Sequence, residues 1–144
     1  MVTLQPDDGK AEIFAEAARL LRPGGRYGIH ELGLIPDDIA PATKTAIYDD
    51  LAEVTRVNSR PLTESEWIDR LAAAGFDVTW IGRAPMALLS PRRVVADEGL
   101  LGTLKFGYNV LTTPAARRRI RAMRSVLARY DEQLNAIAVV AEPQ

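Results

Sequence analysis

An α/β fold is what this sequence predicts, and three observations predict it. Segments with apolar residues at helical spacing alternate with short, strand-like apolar runs. The connections between them carry turn residues, above all Pro23-Gly24-Gly25 and Gly75. The last run, Leu134 to Ala141, is nearly continuously apolar, as a strand buried in a sheet would be. The 144 residues suit one domain spanning 1–144.

Taken in order, Asp7 or Asp8 can cap a helix starting near Gly9 or Lys10, with Ile13, Phe14, Ala17, Leu20 and Leu21 inward. Pro23-Gly24-Gly25 stops it. Arg26 to Gly33 reads as a strand, with the chain's one histidine, His30, and Glu31 near its carboxyl end. A loop with Pro36 and Pro41 leads to a second helix over about residues 44–57, whose stripe is Ile47, Leu51 and Val54. Thr63 and Glu66 have capping-box spacing and open a third helix, which buries Trp67, Ile68, Leu71 and Ala72 and ends at Gly75. Phe76 to Ile81 is a second strand, continued by Met86 to Leu89 after a break at Pro85. Residues 91–104 are partly helical, and 105–113 form an aromatic stretch. Thr113-Pro114 opens a long helix with the stripe Ile120, Met123, Leu127 and Tyr130. The first strand has no obvious partner on one side, so the sheet is expected to be incomplete.

Composition removes several function classes. Net charge is -1, with 26% charged and 47% apolar residues, so no electrostatic footprint for nucleic acid or an anionic membrane is present. The arginines of residues 117–129 read as a solvated helix face. There is no cysteine and a single histidine, which excludes disulfides and the usual zinc spacings, and no metal site is expected. No apolar run is long enough for a membrane span, and the first ten residues lack a signal-peptide layout. A cytoplasmic location is the expectation.

The phrase KAEIFAEAARLLRPGGRYGIHEL, Lys10 to Leu32, resembles the helix and fifth strand of class I S-adenosylmethionine-dependent methyltransferases. The similarity is to the small-molecule branch related to the ubiquinone and menaquinone biosynthesis enzymes. It rests on Glu16, Arg19, Leu21, Arg22, Pro23, Gly24, Gly25 and Arg26. RPLTESEWIDRLAAAGFDV, Arg60 to Val78, resembles the segment before that family's sixth strand, through Trp67, Leu71, Ala74, Gly75 and Phe76. LNAIAVVAEP at the end looks like its antiparallel seventh strand. The resemblance implies a partial Rossmann-like sheet of fifth, sixth and seventh strands, with residues 91–133 as a helical insertion: the C-terminal half of such an enzyme. The family's cofactor loop, a G-x-G-x-G after the first strand, has no counterpart here. Gly24-Gly25 follows a helix, not a strand, and so cannot form an anion site at a helix N-terminus. S-adenosylmethionine is therefore expected in a complete enzyme and not on this chain alone.

The resemblance directs attention to the acceptor. His30 is the catalytic candidate, because methyl transfer sometimes requires removal of a proton and histidine titrates nearest neutrality. Glu31, Tyr48, Asn58 and Arg60 are candidate substrate-binding residues, the last three around the end of the second helix. Met86, Phe106, Tyr108 and Asn109 could form an apolar wall for a small acceptor. Two other readings stand beside this one: an α/β module that dimerises across its open sheet edge, and a non-catalytic small-ligand-binding protein. The expected partners are thus a small-molecule acceptor and either a second copy or a missing N-terminal half.

Overall fold

A computed structural model describes residues 2–86, 99, 102 and 112–144. After a 3-10 turn at Val2–Leu4 come helix α1 (Asp7–Leu20), strand β1 (Tyr27–Leu34), helix α2 (Pro41–Thr55) and the short strand β2 (Leu62–Thr63). Helix α3 (Glu64–Ala73), strand β3 (Phe76–Pro85), helix α4 (Pro114–Arg129) and strand β4 (Leu134–Pro143) follow. The strands form one sheet in the order β2-β1-β4-β3. β4 runs antiparallel to both β1 and β3, while β2 runs parallel to β1. The strands read at 26–33, 76–81 and 134–141 are thus all present, and the two-residue β2 is an addition.

Several boundaries move for identifiable reasons. α1 starts at Asp7 behind Pro6, and neither Asp7 nor Asp8 caps it; both sit in its first turn, where carboxylates favour the helix dipole. α2 starts at Pro41 rather than Lys44, because proline at the first position needs no N–H partner. It ends one residue before Arg56, which adopts the left-handed conformation at φ 60°. β3 runs unbroken through Pro85, which an edge strand tolerates at its end. The expected continuation at 87–89 lies outside the described residues, as does most of 91–111. The capping box is as expected: Thr63 N donates to Glu66 at 2.9 Å, Thr63 Oγ1 accepts from Glu66 N, and Gly75 follows with φ 84°.

α1 and α3 pack on one face of the sheet. There Phe14, Ile29, Trp67, Leu71, Phe76, Ile137, Val139 and Ala141 form the main core. Phe14 meets Tyr27 and Trp67 edge-on, at 6.0 and 6.4 Å between ring centroids, and Tyr27 stacks on Phe76 at 5.3 Å. Trp67 Nε1 donates to Leu32 O at 3.2 Å, which binds α3 to β1. α1 buries less than its period suggests. Phe14 is enclosed, but Ile13 and Leu20, two turns apart, are exposed. A second cluster joins α2 and α4 to the carboxyl end of β1 through Leu34, Ile47, Leu51, Val126 and Leu134. In α4 the enclosed residue is Val126, while Ile120, Met123, Leu127 and Tyr130 are half-buried.

Candidate functional site

β1 positions the first two candidates. His30 is the fourth of its eight residues, so it lies mid-strand and not near the carboxyl end; the ladder with β4 continues through Leu34. Alternation sends His30 and Glu31 to opposite faces. His30 is exposed opposite Ala138, on a face that also carries Gly28, Val140 and Trp80, with the Trp80 ring lying over Gly82.

Glu31 is buried on the α1/α3 face, and its carboxylate holds the amino-terminal turn. It accepts from Val2 N at 2.6 Å, Thr3 N at 2.9 Å and Thr3 Oγ1 at 2.7 Å. Three donors compensate a charge that would be costly to bury alone. The turn is tied down twice more, because Arg60 N donates to Thr3 O at 2.9 Å and Lys10 Nζ to Gln5 O at 2.7 Å. Lys10 is fully enclosed, and burial pulls its ammonium below the usual range even with Asp7 beside it.

Tyr48, on α2, lies between two cations. The Arg60 guanidinium is 5.6 Å from its ring centroid and Lys44 Nζ 6.0 Å. Its hydroxyl donates to Pro61 O at 2.9 Å, and burial raises its pKa. Lys44 forms an ion pair with Glu66. Burial pushes the Glu66 carboxyl up, but Lys44 and Thr63 outweigh it and hold that group below its usual range. Arg60 has no carboxylate partner among the described residues. Tyr48 and Arg60 thus come together, with exposed Asn58 two residues before Arg60. Met86 is half-buried against the α2/α4 cluster, on which Tyr48 also packs. Phe106, Tyr108 and Asn109 lie outside the described residues. Among those that are described, no group of acidic or histidine side chains could hold a metal, and no helix is long and apolar enough to cross a membrane.

The Gly24-Gly25 turn is closed on itself: Gly25 N donates to Arg22 O at 2.8 Å, so that amide is not offered to a ligand. The described residues contain no strand–glycine loop–helix unit. Of β1, Gly33 and Leu34 pair with β2, while Tyr27 to Leu32 have β4 on one side and no described strand on the other.

No family model matches the chain. It is 28% identical over 142 residues to an uncharacterised protein of Haemophilus influenzae, covering 99% of this chain and 54% of that protein. The chain therefore spans about half the length of the curated relative it matches. Among solved structures it superposes on the MccD protein with a TM-score of 0.65, at 14% identity, over 99% of this chain and 57% of that one. It also superposes on a SAM-dependent methyltransferase from Geobacter sulfurreducens, solved with S-adenosyl-L-homocysteine. That TM-score is 0.57, at 19% identity, over 98% of this chain and 53% of the other. With its α/β sheet and these likenesses, the chain has a class I S-adenosylmethionine-dependent methyltransferase-like fold, of which it carries about half.

Proposed function

We propose that this chain is the acceptor-binding, C-terminal part of a methyltransferase acting on a small, largely apolar molecule, and that S-adenosylmethionine is held by a different half-sheet. The observation that carries this reading is the bare edge of β1 from Tyr27 to Leu32 in a sheet of methyltransferase-like fold. Exposed Ile13 and Leu20 on α1 support it, since apolar residues two turns apart on one helix suit a neighbouring element. The missing strands would add to β1, and their glycine-rich loop would supply the cofactor. In that assembly Tyr48, Asn58 and Arg60 face the polar end of the acceptor, and Glu31 fixes the adjoining turn at Val2 and Thr3. Met86 with Phe106, Tyr108 and Asn109 forms the apolar wall, and His30 is the candidate proton acceptor. The setting is cytoplasmic, without nucleic acid or membrane.

Calorimetry tests the division of labour. The chain alone should give no heat with S-adenosylmethionine, and the chain joined to a half-sheet bearing the glycine-rich loop should bind it. Micromolar binding by the chain alone would overturn the reading. The same bare edge supports a second reading, a homodimer formed by strand addition. A strictly monomeric species in sedimentation at tens of micromolar would remove it.

A further inference from the structure

A shallow, open pocket of about 400 Å³ lies at the carboxyl end of β1 and β3, lined by Ile35, Pro85 and Leu134 and by the polar residues Arg83, Asp131 and Asn135. In open α/β sheets, this end of the strands is where ligands bind. Asn135 pairs with Gly33 on one side and Pro85 on the other, so its place in the register puts it over that end. It is 8% exposed, and its Oδ1 is buried with no hydrogen-bond partner. The amide rests on Gly33: a Cβ there would come within 2.1 Å of Oδ1, so the absent side chain is what seats the asparagine.

A buried carbonyl without a donor is unfavourable, and natural structures leave few of them. The surroundings say which chemistry would satisfy it. The local donors are already engaged, with Ile35 N on Gln133 O at 3.0 Å and Leu134 N on Tyr130 O at 2.9 Å. The Arg83 guanidinium is engaged by both carboxylate oxygens of Glu64. The unengaged acceptors are Oδ1 of Asn135 and the exposed carboxylate of Asp131, which has no partner among the described residues. An anion entering here would meet Asp131 and a neutralised arginine.

We propose that this cavity is a subsite for a small protonated amine, whose N–H groups donate to Asn135 Oδ1 and to the Asp131 carboxylate. Oδ1 packs against Gly33, and rotation about the soft amide torsion turns it to a donor in the pocket without moving the backbone. That the amine belongs to the methyl acceptor rests on the proposed function; the binding itself does not. The test is a titration of the full chain with ethylammonium, followed by amide chemical shifts, with acetate as the control. Ethylammonium should shift the Asn135 side-chain amide and the Gly33 and Asp131 backbone signals saturably, and acetate should not. Asp131→Asn, at an exposed position where folding is not at stake, should weaken binding about tenfold, and Asn135→Leu should abolish it. The absence of shifts, equal shifts with acetate, or wild-type titration of Asp131→Asn would each overturn the subsite. Calorimetry with S-adenosylmethionine reads the proposed function separately, so the two ideas fail independently.

Discussion

On the face of the sheet that receives α1 and α3, Phe14, Trp67, Leu71 and Phe76 are each at most 1% exposed. On the opposite face Trp80 is 55% exposed, and Gly28 and His30 are open. The two tryptophans carry the contrast between them. Trp67 is enclosed and hydrogen-bonded to Leu32 O, whereas Trp80 lies over Gly82 at the surface. Mixed sheets of α/β proteins are normally covered on both faces. Among the described residues one face is a finished core and the other is covered only toward the carboxyl end, where Leu34 and Leu134 meet α2 and α4. Stability therefore resides on the first face, and what the second face does depends on what meets it.

Substitutions can break that comparison. Trp67→Ala removes a fully buried ring and its hydrogen bond, and should destabilise by about 3–5 kcal/mol in urea denaturation. Trp80→Ala should stay within about 0.5 kcal/mol in the same assay, as surface changes do. Equal losses at the two positions would mean that the second face is already covered. Gly33→Ala forces Asn135 to move and should destabilise by about 1–3 kcal/mol, measured in the same way. Thr63→Ala removes the cap that starts α3 and should lower stability by about 1 kcal/mol.

The smallest effect is a pH dependence. The Glu66 carboxyl is held below its ordinary value, so it binds protons more readily in the unfolded chain. Its contribution is present above that value and fades as the pH falls through the lowered folded value. Glu66→Gln should flatten this acid limb of the stability curve. An unchanged limb would mean that the capping box and Lys44 do not set it.

Much of the first face was legible in the sequence, because local signals specify it. Thr63 and Glu66 announce α3, Gly75 ends it, and the apolar periods name Phe14, Trp67 and Leu71. Pro41 was a readable helix start, although the apolar period of α2 begins later. The site was less legible, because its contacts join residues far apart in the chain. Nothing local links Glu31 to Val2 and Thr3, or Tyr48 to the Arg60 guanidinium. Asn135 left one faint mark, a lone amide at the start of an otherwise apolar strand, and its missing partner shows only once Gly33 is beside it.

β3 and the part of β1 that β2 leaves uncovered differ in what they offer a further strand. β3 is an edge with a register shift between Val78 and Trp80 and a proline at its end, both of which discourage a further strand. Tyr27 to Leu32 of β1 have no described strand on their far side, but this run holds the buried Glu31 carboxylate and the Val2–Leu4 turn that it grips. A strand laid on β1, as the proposed assembly requires, therefore has to pass the turn that Glu31 holds, which confines the added strand to the residues before it.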